Sequence, residues 1–493
     1  NKTHPPNPFL IFSIMSLPPI TPPSLATSFT AKPTQPPIRQ IPGSHGWPIL
    51  GPLSDRLDYF WFQKPESFFR TRMEKYKSTV FRTNIPPTFP FFTSVNPNVI
   101  ALLDCKAFSH LLDMELVDKK DVLVGDFVPS VEFTGNIRVG VYRDVSDPQH
   151  SKSKKFSMQV LKESSSIWVP ELVSNLDIFL DQIEATLSTS SSASYMFPLQ
   201  QFLFKFLFKV LAKADTSLDP KIAESGYSML NKWLALQLLP TISIGKVQPL
   251  EELFLHSFSY PFSLVKGDYN SLYNFVKQHG KEVVKCGKEF GLNEDEAIHN
   301  LLFILGFNSY GGFSIFLPNL INTIANDSTG LQEKLRNEAR EKCGSTLGFD
   351  SLKNLELINS VVYETLRMNP PVPLQFGRAR KDFQLSSNDS LFNVKKGELL
   401  CGYQKLVMRD PAVFDEPESF KPDRFTKEKG AELLNYLYWS NGPQSGSPSV
   451  ANKQCAGKDI VTFTSALIVA HLLRRYDSIK GDGSSITLLT KAK

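Results

Sequence analysis

Cysteine, charge and long apolar runs are all scarce in this chain. Its 493 residues hold five cysteines, Cys105, Cys286, Cys343, Cys401 and Cys455, an odd and widely spaced set that builds neither a disulfide framework nor a CxxC metal knuckle. A reducing compartment follows. Charged residues make up 21%, the net charge is only +5, and no long basic run is interleaved with aromatics, which argues against nucleic acid as a partner. No uninterrupted run of about 18 apolar residues is present, so no transmembrane helix is expected. Acidic residues are missing altogether from Asn1 to Leu53, where Ser, Thr and Pro dominate. That bias fits a plastid transit peptide and equally a Pro-rich tail without fixed structure, and Met15 is a candidate start. Plastid, cytosol and a lipid surface all stay open as locations.

What is present is a large apolar reserve. Hydrophobic residues reach 41% and there are 38 Phe, enough for a substantial core and suited to a lipid-lining interior. No linker interrupts the chain after about residue 42, so residues 41–493 read as one domain behind a Pro/Ser/Thr-rich extension over residues 1–40. Prolines and glycines over residues 41–52 predict a rigid opening turn rather than a helix. Residues 78–85 alternate like a strand stopped by Pro86-Pro87, with residues 90–95 as its partner. Beyond residue 150 the patterns are mostly helical. Glu294-Asp295-Glu296 places acids in the first turn of one helix. A second, from about Leu331 to Lys342, ends at Gly344, a candidate left-handed C′ residue. A third runs from about Leu355 to Met368 before Pro370-Pro371. The Ser-rich patch at residues 188–194 reads as a surface loop.

One cysteine stands out. Asn452-Lys453-Gln454-Cys455-Ala456-Gly457-Lys458 opens a long apolar run from Ile460 to Leu473. A thiolate at a helix start lies near unpaired N–H groups and the positive end of the helix dipole, which stabilise the anion that binds iron. A buried structural cysteine is the plainer alternative. Glu364 and Arg367 stand three apart and share one helix face, and Phe420-Lys421-Pro422-Asp423-Arg424-Phe425 offers Glu364 a second arginine. In the order Glu-x-x-Arg, Pro-x-Arg-Phe, Cys-x-Gly, the chain resembles the cytochrome P450 family from about Pro42 to its C-terminus. The resemblance implies a mostly α fold with a small β region, haem b as cofactor, Cys455 as the iron ligand, and a structural triad of Glu364, Arg367 and Arg424. It also sets His150 and Lys154, four apart on one helix face, against the haem propionates.

Two departures narrow the resemblance. Oxygen-activating members carry an Ala-Gly-x-acid-Thr stretch on the central helix, whereas here Gly306-Phe307-Asn308-Ser309-Tyr310-Gly311-Gly312 holds no acid. An amide exchanges hydrogen bonds but does not deliver a proton as a carboxylic acid does. In the family the glycine of the cysteine loop precedes Cys by four residues; Gly442 precedes Cys455 by thirteen. A missing relay with a lengthened loop, and the sequence from Asn452 to Asp459, resemble the plant subfamily that metabolises fatty acid hydroperoxides: hydroperoxide lyases, allene oxide synthases and divinyl ether synthases.

A substrate that already contains an O–O bond needs no NADPH, reductase or dioxygen, because the cofactor carries the hard step. The protein then supplies a dry pocket, for which Phe303, Leu305, Phe307 and Phe313 are candidates. By resemblance, Asn308 hydrogen-bonds the hydroperoxide, Phe307 and Ser309 contact substrate, Lys119 and Lys453 meet propionates, and Lys266 receives the fatty acid carboxylate. Leu123 stands where the synthases carry Phe and the lyases a smaller aliphatic, and so favours the lyase. The implied reaction is cleavage of 9- or 13-hydroperoxides of linoleic and linolenic acid to short-chain aldehydes and oxo acids. Allene oxide synthase is the alternative on the same substrates; an NADPH-dependent monooxygenase and a haem-dependent lipid-binding protein are remoter. Peripheral association with a lipid surface remains compatible with the sequence.

Overall fold

The opening segment turns helical sooner than its prolines predict. In the computed structural model, which describes residues 36–88, 90–344 and 347–492, helix α1 (Leu50–Leu57) takes Gly51 and Pro52 into its first turn. A proline is tolerated there because the first N–H groups of a helix have no intrahelical partner. Most of the acid-free extension lies outside the described residues. The chain is already paired at strand β1 (Ile38–Arg39), parallel to Leu391 and Phe392. Helix α2 (Lys64–Tyr76) follows, with a proline in its first turn.

Strand β2 (Val80–Asn84) forms as expected, but its antiparallel partner is β3 (Asn98–Leu102), with Val80 opposite Leu102. Residues 90–95 are turns instead, closed by a Val95 N–H to Phe92 carbonyl bond of 3.2 Å. Physically, Val99, Ile100 and Ala101 are apolar enough to be buried in a sheet, whereas Pro90 lacks the donor that a ladder requires. The remaining strands are β4 (Val117–Asp118), β5 (Ala193–Ser194), β6 (Leu374–Ala379), β7 (Phe383–Ser386), β8 (Leu391–Val394), β9 (Leu399–Tyr403), β10 (Tyr476–Gly481) and β11 (Ser485–Lys491). They make one five-stranded sheet, β2-β3-β9-β6-β4, and two of three strands, β1-β8-β7 and β10-β11-β5. The Ser-rich patch is thus only partly a loop, since Ala193 and Ser194 pair with Ile486 and Ser485.

Helices dominate the rest, as the mostly α expectation required. Helix α3 (Pro148–Leu187) is capped by the Asp147 carboxylate, which accepts the Gln149 N–H, and buries Phe156, Val160, Trp168, Leu172 and Leu176 along one stripe. After it come α4 (Met196–Leu211), α5 (Pro220–Leu238) and α6 (Lys266–His279). The central helix α7 (Glu294–Ala325) starts at a capping box in which Asn293 and Glu296 satisfy each other's backbone N–H groups. From Ile304 to Gly311 it widens to π geometry, then resumes. By length and composition α7 is apolar enough to cross a membrane, which a search for unbroken runs misses because polar residues punctuate it; 50% of its most apolar window is buried inside the fold.

Helix α8 (Leu331–Lys342) ends without a left-handed glycine: Cys343 is extended and its N–H bonds the Ala339 carbonyl at 3.2 Å, so the chain has turned away before Gly344. Helices α9 (Glu356–Met368) and α10 (Lys458–Arg475) follow, and shorter helices fill the gaps between these longer ones. The Glu364 carboxylate binds Arg367 at 2.7 and 2.8 Å and Arg424 at 3.0 and 3.1 Å. Both guanidiniums also donate to the Ser419 carbonyl, so the group ties α9 to the irregular segment leading to the cysteine loop. All three side chains are at most 3% exposed. Removing one member of such a group leaves an uncompensated buried charge, so Glu364→Ala should lower unfolding free energy by about 3–5 kcal/mol in denaturant titration.

Candidate active site

The start of α3, the π stretch of α7 and the loop ahead of α10 enclose a cavity with about 950 Å³ of empty space including its mouth. His150, Ser153 and Lys154 line it from α3, Asn300, Phe303, Ile304, Asn308, Ser309 and Phe313 from α7, and the run from Lys453 to Gly457 from the loop. Val139, Gly140 and Val141 form a further wall. Trp168 and Phe313 add apolar surface.

The cysteine loop holds its shape through its own hydrogen bonds. The Cys455 N–H donates to the Ser440 carbonyl at 2.9 Å, and the Gln454 amide donates to the Pro443 carbonyl at 2.6 Å. Asn452 reaches the Ser447 carbonyl at 3.0 Å, and buried Lys458 reaches the Gln444 carbonyl at 2.7 Å. Small residues are needed where this loop folds on itself: a Cβ on Gly442 would lie 2.7 Å from Gln454 Cδ. The excess residues therefore form a compact buttress. Burial pushes the Cys455 thiol above its ordinary range, although the Gly457 N–H, Lys154 and Lys458 all pull it down. Burial opposes the thiolate, and the Gly457 N–H at the helix start favours it. A coordinated metal ion deprotonates a thiol outright.

In α7, Gly306 lets α5 approach: a Cβ there would lie 2.7 Å from the Trp233 ring and 2.8 Å from Leu230. π segments open the regular ladder and recur at functional sites. Here the opening turns Asn308 into the cavity, exposed, and among the described residues its amide has no protein hydrogen-bond partner. Ser309 lines the cavity beside it. Phe307 does not; it stacks on Phe303 at 4.7 Å and 11° and so backs the lining ring. Leu305 is fully buried in the core.

Positive charge is concentrated in this region. Lys119 is buried and donates to the Phe376 carbonyl at 2.6 Å. Burial and the nearby Lys453 lower its pKa to about 7. Lys453, lowered to about 7 by burial and Lys154, spends its ammonium on the carbonyls of Gly140, Val141 and Arg143 at 3.0, 3.3 and 2.7 Å. Burial lowers Lys154 to about 8, and its ammonium meets the Gln454 carbonyl. His150 is pushed down to about 4 by burial, Lys453 and Lys154, and its buried Nδ1 has no partner among the described residues. Four basic groups pressed together out of water fit a ligand that brings carboxylates, and the half-buried Cys455 sulfur beside an apolar wall fits an iron porphyrin. Lys119 and Lys453 alone would not have located this cluster in space; the folding of α3 onto the loop does.

Other expected residues lie elsewhere. Leu123 sits half-buried on the tight turn where Val124 bridges Phe127, outside the cavity lining. Lys266 is exposed at the first residue of α6 and does not reach the lining. Asn300, Ser153 and the 139–141 wall were not foreseen. The signal for Asn300 was a second amide on the same apolar helix, eight residues before Asn308.

The fold and the cysteine loop fit a haem-binding protein, and comparison with known proteins agrees. The Cytochrome P450 family profile matches residues 326–488. Linolenate hydroperoxide lyase, chloroplastic, of Arabidopsis thaliana is 60% identical over 98% of this chain and 100% of its own length. Fatty acid hydroperoxide lyase, chloroplastic, of Solanum lycopersicum is 59% identical over 94% of this chain and 98% of its own. Allene oxide synthase, chloroplastic, of Linum usitatissimum is 43% identical over 92% and 85%. The chain belongs to the cytochrome P450 family, within the plant subfamily that metabolises fatty acid hydroperoxides.

Two outcomes test the site. Cys455→Ala should abolish the thiolate-type spectrum of the reduced carbon monoxide complex; an unchanged spectrum would remove Cys455 as ligand. In cofactor-free protein, Lys119 has a depressed folded pKa, so between about pH 7 and its unfolded value near 10.5 the unfolded chain binds more protons and stability rises with pH. Denaturant titrations at pH 7, 8 and 9 should show a shallower rise for Lys119→Met than for the parent.

Proposed function

We propose that this chain is a fatty acid hydroperoxide lyase with haem b held by Cys455. The observation that carries the reading is Asn308: an amide faces the cavity from the π stretch, and among the described lining residues there is no carboxylic acid to relay protons to dioxygen. Bound haem supplies one-electron homolysis of an O–O bond that the substrate brings with it. Cleavage to an aldehyde and an oxo acid is an isomerisation followed by fragmentation, so atoms balance without an external electron donor.

The side chains divide the remaining work. Asn308 binds and orients the hydroperoxide group through its amide, and Ser309 stands beside it. Phe303 and Phe313, with Trp168, keep water from the radical left on the carbon chain. His150 and Lys154 face the cavity and receive the propionates, which restores the protonated forms that burial disfavours, while Lys453, its donors spent on the carbonyls of Gly140, Val141 and Arg143, fixes the wall beside them and Lys119 adds positive charge from behind the lining. Glu364, Arg367 and Arg424 keep the haem-holding segment in place. Identity near 60% to two lyases against 43% to a synthase favours cleavage over dehydration; Leu123, which stands outside the lining, points the same way by resemblance alone. The chloroplastic designation of those lyases supports residence in the plastid.

Purified protein given 9- and 13-hydroperoxides without NADPH should consume the conjugated diene and release short-chain aldehydes. Ketols with no aldehyde would replace the lyase reading with allene oxide synthase. Asn308→Ala should reduce kcat roughly tenfold or more, the worth of one hydrogen bond to a group that gains charge, while the carbon monoxide spectrum stays as in the parent.

A further inference from the structure

Asn300 lies on α7 two helical turns before Asn308 and lines the same cavity at only 5% exposure. A buried amide on so apolar a helix is costly unless it is bonded. Its Nδ2 donates to the Glu296 carbonyl at 2.8 Å, inside its own helix. Its Oδ1 accepts the Gly140 N–H at 3.1 Å, and that is the contact that leaves the helix.

Gly140 is held at both ends. Its carbonyl accepts from the Lys453 ammonium at 3.0 Å, and the same ammonium also takes the Val141 and Arg143 carbonyls. An ammonium has three donors, so Lys453 is committed to this one segment. Lys453 stands two residues before Cys455. The contact also has no slack: a Cβ on Gly140 would lie 2.9 Å from Ser153 Cβ. The neighbouring residue of α7 seats the same segment farther along. His299 Nδ1 pairs with the Tyr269 hydroxyl at 2.7 Å, and a Cβ on Gly135, whose φ is +69°, would fall 2.0 Å from His299 Nε2. Adjacent residues of one helix thus pack against two glycines, Gly135 and Gly140, of the segment that leads into the wall.

We infer that Asn300 is a positioning residue, joined through Gly140 to Lys453 so that α7, the 139–143 wall and the cysteine loop are fixed to one another. Its effect is on cofactor retention and on the closure of the pocket wall, exerted through Gly140 and Lys453. The inference rests on haem occupying this cavity and is independent of which product the enzyme makes.

The test uses the haem-loaded enzyme without substrate, following haem transfer to excess apomyoglobin. Asn300→Leu leaves the Gly140 N–H without its acceptor and should release haem about tenfold faster, with the reduced carbon monoxide band still of thiolate type. Asn300→Asp keeps an acceptor toward Gly140 and should stay within about threefold of the parent. Lys453→Met cuts the same connection at its other end, so the double variant should release haem no faster than the faster single variant. Parent-like release from Asn300→Leu, or effects that multiply in the double variant, would overturn the proposal. Should Asn300→Leu fail to fold, Asn300→Ala takes its place in the cycle and is judged by the same two outcomes. Absence of aldehyde from the parent enzyme would overturn the lyase reading and leave this result standing.

Discussion

The ammonium of Lys453 lies among the carbonyls of Gly140, Val141 and Arg143, in an interior where an unpaired cation would cost several kcal/mol. Much of the site is arranged around that constraint. Lys119 and Lys154 reach backbone carbonyls in the same way, and burial presses all three ammoniums toward losing their protons. A cluster held so far from its preferred charge state is poised to accept an anionic ligand, because each carboxylate that arrives relieves both desolvation and mutual repulsion. Gly140, Val141 and Gln454, three of the residues whose carbonyls take these ammoniums, line the cavity, so the shape of the pocket and the charge around it are set together.

Polar side chains on α7 are subject to the same rule and answer it in different ways. Asn300 is satisfied by Gly140, and Tyr310 by Asn231 at 2.8 Å. Asn308 has no protein partner among the described residues and faces the cavity. An amide that the fold leaves free in an apolar pocket is available to substrate, and this is the chemical content of the missing acid. The lengthened cysteine loop has a comparable logic, in that Gln454, Asn452 and Gln444 spend their amides on the loop itself.

The sequence made some of this readable and hid the rest. Cys455, the Glu364–Arg367 spacing and the second arginine at Arg424 were legible because each is a short pattern of fixed chemistry, and the triad closes in space as its spacing implied. Helix ends at Glu294 and Met368 were legible from first-turn acids and proline, whereas the end at Lys342 was read from Gly344, which does not form its cap. The partner of β2 was not, since apolar content at residues 98–102 outweighs the aromatic run before it and only the sheet shows which strand lies alongside. Leu123, Phe307, Lys119 and Lys266 were assigned to the site by resemblance, and the fold sets them behind or beyond its lining.

By itself, the sequence determined the family, the cysteine proposed as iron ligand and the absence of an acid from Gly306 to Gly312. These are matters of residue type and order, which the covalent chain carries unchanged. Only the tertiary structure decided that Asn308 faces the cavity while Phe307 turns away, because the π stretch alters the angular spacing of side chains in a way no regular period predicts. It also decided that Asn300 bonds the Gly140 N–H across the cavity wall. Those outcomes depend on which distant segments exclude water from one another, and that is fixed only when the chain has closed.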